Sequence, residues 1–214
     1  MSFVIAIDGP AASGKSSVAR VLAERLRALF VNSGAMYRAV TWAALEAGLD
    51  VSDAAAVTAW VQSIRIECSA AGGQSLILID GTDPAPHLRD PLVNAAVSAL
   101  SAVPEVRHIL VENLRRYASL GSLVMEGRDI GSVVFPETPY KFYIDASEAV
   151  RASRRAAQGE TDAIAKRDAQ DSTRRTAPLR IAENAVVIDT SEMDLEQVLA
   201  AALTHLQQRG LSVN

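Results

Sequence analysis

The chain carries one cysteine, Cys68, in 214 residues. No disulfide can form within it, which excludes a small secreted scaffold held together by bridges. No stretch approaches the ~18 consecutive apolar residues of a membrane-spanning helix. The N-terminal residues run directly into an apolar strand, without a basic region followed by a long apolar segment, so no signal peptide is expected and the cytosol is the default compartment. Charge of one sign is not in large excess: 21 Lys and Arg against 25 Asp and Glu leave a net charge of −4. Nothing global therefore argues for a nucleic-acid polymer or a membrane surface as partner, and any basic site must be local. The three histidines, His87, His108 and His205, are scattered without ligand spacing, and no transition-metal site is expected. What is present is ordinary globular material, 49% hydrophobic and 21% charged. The length suffices for one α/β domain with an inserted lobe.

The most informative stretch is Gly9-Pro10-Ala11-Ala12-Ser13-Gly14-Lys15-Ser16-Ser17. It follows the apolar run Phe3-Val4-Ile5-Ala6-Ile7 and leads into a segment with helical spacing of Val18, Val21, Leu22, Leu26 and Leu29. A G-x-x-x-x-G-K-[ST] pattern between a strand and a helix is a phosphate-binding loop. Glycines let the backbone wrap a phosphate chain, successive N–H groups form an anion-binding nest, and the helix adds its positive N-terminal end. Lys15 supplies a mobile cation for the outer phosphates, and Ser16 is the expected hydroxyl ligand of Mg²⁺.

Strands and helices alternate along most of the chain. Helices are expected from Ala35 to Leu49, from a Ser52 or Asp53 cap to about Ser63, after Asp90-Pro91, and from Pro104 to about Ser119. Short strands are expected at 122–125, 140–144 and 185–188, with a last helix from Asp194. Between them, Ile64–Cys68 and Leu76–Ile79 flank Gly72-Gly73 and read as an antiparallel hairpin. This pattern predicts a parallel sheet covered on both faces, with the ligand crevice at the carboxyl ends of the strands. We expect a single domain over 1–214, with its core at about 1–64 and 91–214 and an inserted lobe at about 65–90. The polar run Gln158–Asp162 reads as an exposed loop.

Three polar clusters fall where such a crevice would be. Asn32-Ser33-Gly34-Ala35-Met36-Tyr37-Arg38 and Glu126-Gly127-Arg128-Asp129 each follow a core strand. Either alone could be a charged loop in water, but Arg38 and Arg128 are suited to bidentate phosphate recognition beside an anion-binding loop. Arg167, Asp171 and Arg174 fall at i, i+4 and i+7, one face of a helix, which is also what a salt-bridged surface helix would show. Arg151, Arg154 and Arg155 precede the exposed loop and are either a solvated basic face or part of a cationic lid, at about 154–167, that closes over transferring phosphates.

Taken together, Ala6-Ile7-Asp8-Gly9-Pro10 with the phosphate loop, Ser33-Gly34-Ala35-Met36-Tyr37-Arg38, Glu126-Gly127-Arg128-Asp129-Ile130-Gly131-Ser132-Val133-Val134-Phe135-Pro136 and Arg167-Asp168-x-x-Asp171-x-x-Arg174 resemble the bacterial cytidylate kinase family, in order and over nearly the whole chain. The resemblance implies a nucleoside monophosphate kinase fold: a five-stranded parallel core, an inserted monophosphate-binding lobe with an antiparallel hairpin, and a short lid. It implies phosphorylation of CMP and dCMP by ATP with Mg²⁺, by a cytoplasmic monomer whose partners are small nucleotides. By the same resemblance Ser33, Tyr37, Arg38 and Arg128 hold the monophosphate or its sugar, and Ser98, Arg107 and Asp129 read the cytosine edge. Arg167, Asp171 and Arg174 act from the lid side, and Lys15, Arg128, Arg154, Arg155 and Arg174 serve the transfer. Asn32 and Glu126 depart from the family's usual Asp at both places, and the segment between Arg155 and Arg167 is short. Other readings are another phosphate-loop kinase, of the adenylate or shikimate type, or a nucleotide-dependent switch. No Asn-Lys-x-Asp guanine motif is present for the latter.

Overall fold

The structure is a computed structural model that describes residues 2–157 and 179–212. The expected exposed loop at 158–162, most of the expected lid, and Arg167, Asp171 and Arg174 lie outside the described residues. In chain order the elements begin β1 (Val4–Asp8), α1 (Lys15–Arg25), β2 (Leu29–Asn32), α2 (Ser33–Glu46), α3 (Ala54–Val61), β3 (Ile66–Ala71) and β4 (Gln74–Ile79). They continue with α4 (Pro91–Leu100), α5 (Pro104–Arg116), β5 (Leu123–Gly127), β6 (Tyr140–Asp145), α6 (Glu148–Ala157), β7 (Val186–Asp189) and α7 (Leu195–Gln208). Two compact units emerge, Met1–Val31 with Gly121–Asn214, and Asn32–Leu120. The hairpin expected at 65–90 falls within the second.

In the first unit the strands run in the order β2-β5-β1-β6-β7. The pairs β1–β5, β1–β6 and β6–β7 are parallel. All five residues of β5 are buried, as expected of an interior strand flanked on both edges. Ile5, Ile7, Val18, Leu22, Phe30, Val124, Phe142, Ile144, Val198 and Leu206 form one apolar core in which α1 and α7 are packed. Of the stripe expected at Val18, Val21, Leu22, Leu26 and Leu29, Val18 and Leu22 are buried on α1, which ends at Arg25, so that Leu26 follows the helix and Leu29 opens β2. α7 buries Val198, Leu199 and Leu206, while Leu195 in its first turn is exposed. α7 opens with a capping box in which the Asp194 side chain accepts the Gln197 N–H and the Gln197 side chain accepts the Asp194 N–H, both at 2.9 Å. Such a cap contributes about 1 kcal/mol.

The second unit holds α2 to α5 and the β3–β4 hairpin, whose register pairs Ile66 with Ile79 and Ala71 with Gln74. α2 begins at Ser33, two residues earlier than its apolar pattern suggests, because the Asn32 side chain accepts the Ala35 N–H at 3.0 Å and caps it. Asp53 caps α3 by accepting from Ala55 and Ala56. α5 stops at Arg116 and tightens into a 3₁₀ turn over Tyr117–Leu120. The buried Tyr117 hydroxyl donates to the Leu76 carbonyl at 2.7 Å, tying that turn to β4, and burial pushes its pKa up. Among the described residues no helix is long and apolar enough to cross a membrane.

Candidate active site

The carboxyl ends of the parallel strands gather the polar groups of the first unit. β1 hands over at Asp8 to the phosphate loop, whose backbone conformation explains its composition. Gly9 has φ 155°, and a Cβ there would sit 2.1 Å from the Ile144 carbonyl oxygen, so only glycine fits. Gly14, the N-cap of α1, has φ 92°, and Ala12 between them also takes a positive φ of 58°. The Lys15 ammonium donates to the Pro10 carbonyl at 3.0 Å, so the cation lies folded back over the loop. Ser13 is fully buried, and its Oγ has no hydrogen-bond partner among the described residues.

Ser16, the next residue of α1, donates its hydroxyl to Glu126 Oε1 at 2.9 Å. Glu126 is the penultimate residue of β5 and is 4% exposed. With its proton turned to a carboxylate, the Ser16 oxygen keeps its lone pairs for a cation. A hydroxyl and a carboxylate are the hard oxygen donors that Mg²⁺ takes. The pair therefore fits the ion by its chemistry.

One step beyond Glu126, the Gly-Arg-Asp-Ile-Gly segment turns through a single π-helical turn at Ile130–Val134. Its shape is held from below by Asp8. This carboxylate is 2% exposed and accepts the Ile130 N–H at 2.7 Å and the Gly131 N–H at 2.8 Å. Burial raises its pKa to about 7, Asp129 adds to the rise, and the two N–H groups and Arg128 oppose it. Arg128 is half-buried and Asp129 buried, both on the segment that Asp8 fixes. Asp8 is a residue to which the sequence reading gave no role. Its signal was available, since an acidic residue closing an otherwise apolar strand needs a partner in the fold.

At the ends of β6 and β7 a second group of contacts reaches the same loop. Arg154 Nη1 donates to the Ser13 carbonyl at 3.2 Å and to Thr190 Oγ1 at 2.9 Å, while its Nη2 donates to the Thr190 carbonyl at 2.9 Å. Arg151 Nη1 donates to the Ala11 carbonyl at 3.3 Å. Arg155, the third arginine of α6, is half-buried. Thr190 had no place in the sequence reading, because a threonine after a strand carries no motif.

The second unit places the remaining expected residues on three helices. Ser33, Tyr37 and Arg38 stand on α2, Ser98 on α4 and Arg107 on α5. Arg38 donates to the Gly34 carbonyl at 3.0 Å and, through Nε, to Asn94 Oδ1 of α4 at 3.4 Å. Asn94 and Ser98 are one turn apart on the same face of α4. Arg107 is 4% exposed, and its guanidinium lies 5.5 Å from the centre of the Tyr37 ring and donates to the Ser101 carbonyl at 3.4 Å. The structure thus brings Tyr37 to Arg107 and Arg38 to the face of α4 that carries Ser98.

A phosphate loop between β1 and α1, in a parallel sheet of this order, defines an α/β protein of the phosphate-loop kinase fold. A shikimate kinase from Acinetobacter baumannii, solved in complex with shikimate, shares that fold with a TM-score of 0.51 at 14% identity, covering 99% of this chain and 97% of its own. The family model described as cytidylate kinase matches residues 5–208. A cytidylate kinase of Mycolicibacterium paratuberculosis is 44% identical over 218 residues, covering 96% of each chain. One of Rhodococcus jostii is 42% identical over 220 residues, covering 96% of this chain and 95% of its own. The chain belongs to the cytidylate kinase family.

Proposed function

We propose that this chain transfers the terminal phosphoryl group of ATP to a phosphate oxygen of CMP or dCMP, giving CDP or dCDP and ADP. It is a phosphotransferase of the kinase type. The observation that carries the substrate is family membership over residues 5–208, joined to a first unit that sets the phosphate loop and the Gly-Arg-Asp-Ile-Gly segment at the ends of the paired strands β1 and β5.

The acceptor is already an anion at neutral pH and needs no dedicated base. The obstacle is mutual repulsion of two polyanions that must lie in line, which positioning and charge neutralisation overcome. The inward amides of the loop and Lys15 hold the donor's phosphates. Ser16 and Glu126 would hold Mg²⁺, which when bound neutralises charge on the phosphate oxygens. Ser33, Tyr37, Arg38 and Arg128 take the acceptor's phosphate and sugar. Arg155 adds to the positive surround, and, outside the described residues, Arg167, Asp171 and Arg174 grip the nucleotide from the lid side. Asp129 with Ser98 and Arg107 reads the base. Cytosine offers an exocyclic amine to a carboxylate, whereas uracil presents a carbonyl there. The lost partner costs about 1–3 kcal/mol, or roughly 5- to 150-fold in preference for CMP over UMP. The enzyme acts as a cytoplasmic monomer on these small nucleotides.

The test is an acceptor panel of CMP, dCMP, UMP, AMP and shikimate at saturating MgATP with ADP release as readout. CMP and dCMP are expected to lead. Equal or better turnover of AMP or shikimate, or ATP hydrolysis indifferent to every acceptor, would overturn the proposal.

A further inference from the structure

The phosphate loop is held from outside by groups that belong to neither the loop nor α1. Thr190, the residue after β7, is 3% exposed, and its Oγ1 lies 3.0 Å from the Ser13 carbonyl and 3.0 Å from the Asp145 carbonyl. The Thr190 backbone N–H already donates to the Asp145 carbonyl at 2.8 Å. The single hydroxyl proton lies within reach of both carbonyls, Ser13 and Asp145, while the oxygen accepts from Arg154 Nη1 at 2.9 Å. Arg154 Nη1 also donates to the Ser13 carbonyl at 3.2 Å. One loop carbonyl thus faces both a hydroxyl and a guanidinium. Three residues earlier on the same face of α6, Arg151 takes the Ala11 carbonyl at 3.3 Å.

In a trans peptide the carbonyl and the following N–H point in opposite directions. Holding the Ser13 carbonyl toward α6 and Thr190 turns the Gly14 N–H to the other side, and holding the Ala11 carbonyl does the same for the Ala12 N–H. Ala12 and Gly14 are the two loop residues that carry the positive φ values of 58° and 92°. For alanine that conformation is unfavourable and persists only where surrounding contacts fix it. A nest of amides is useful to phosphate only if its N–H groups stay aligned without anion, since reorganisation on binding would be subtracted from affinity.

We infer that Thr190 and Arg154 form a carbonyl clamp that presets the amide nest for the donor's phosphates, which makes them positioning residues acting through the loop. Arg154 then serves the reaction through Ser13 and Gly14, without touching the transferred group. This rests on the phosphate loop being the ATP site, as proposed above, and is independent of which acceptor is used.

The test compares Thr190→Val, which keeps the shape and removes the hydroxyl, with Thr190→Ser, which restores it. MgATP binding is measured by calorimetry without acceptor, and KM for ATP, KM for CMP, kcat and thermal unfolding are measured alongside. Thr190→Val is expected to weaken MgATP binding and raise KM for ATP by roughly tenfold, the loss of one charge-assisted hydrogen bond. KM for CMP should stay within about twofold, and Thr190→Ser should return MgATP binding to within about threefold of the parent. Unchanged MgATP affinity in a folded Thr190→Val protein, equal rises in both KM values, or no rescue by serine would overturn the clamp. Should Thr190→Val fail to fold, Arg154→Gln carries the same expectation and the same refutation. Failure of the parent protein to bind MgATP in calorimetry removes the ATP-site reading itself, whereas normal binding with no turnover of CMP removes only the acceptor.

Discussion

Replacing Asp8 by Asn keeps the shape of the side chain but offers one acceptor oxygen where two are used. The Ile130 and Gly131 N–H groups now reach separate carboxylate oxygens, at 2.7 and 2.8 Å. In Asp8→Asn one of them faces an amide NH₂ and loses its partner. A buried donor left unsatisfied costs about 1–3 kcal/mol, and in a chain of this size each kcal/mol lowers Tm by roughly 2–4 °C. A fall of roughly 2–12 °C is therefore expected. The pH dependence adds a second readout. The Asp8 pKa is raised from 3.8 to about 7, chiefly by burial. The folded protein then keeps a proton that the unfolded chain releases, so the stability tied to Asp8 is complete below the unfolded value. It declines as pH rises and levels off above about 7. Each pH unit in that window is worth at most about 1.4 kcal/mol. Asn does not titrate, so the Tm gap between parent and Asp8→Asn should be widest near about pH 5 and narrow by about pH 8. Thermal unfolding of both proteins across that range is the assay. An unchanged Tm, or a gap that widens with pH, would refute the account, the second outcome meaning that the carboxylate is held ionised by its two donors.

Glu126→Gln should leave the secondary structure by circular dichroism unchanged while raising the Mg²⁺ concentration for half-maximal activity roughly 10- to 100-fold, because it removes the negative charge from one of the two oxygen donors proposed for the ion. A Mg²⁺ titration with no displacement would remove Glu126 from the metal site. Asp129→Ala should lower the CMP to UMP ratio of kcat/KM by roughly 5- to 150-fold. Unchanged selectivity would assign base recognition elsewhere.

The phosphate loop was legible because its demands are local. Gly9 and Gly14 are required by backbone conformation, and Lys15 and Ser16 are fixed by their distance from the loop along one turn of helix. The helices and strands were open to reading from apolar spacing, but their ends were not. α2 opens two residues early on its Asn32 cap and closes at Glu46 short of Leu49, α5 stops at Arg116 short of Ser119, and the hairpin strands run closer to their turn, to Ala71 and from Gln74. The family segments marked Arg128 and Asp129 as candidates but not how they are held. That came from a contact across 122 residues, Asp8 to Ile130.

The linear order of residues, by itself, determined where a phosphate chain can be wrapped and which short stretches carry charge toward it, since both follow from spacing of a few residues. Only the tertiary structure decided which groups share a place. It set Glu126 beside Ser16, Asp8 under the segment after β5, and Arg154 with Thr190 on the Ser13 carbonyl. The physical reason is the parallel sheet, whose strands all end on one edge and so bring together residues that no local period relates.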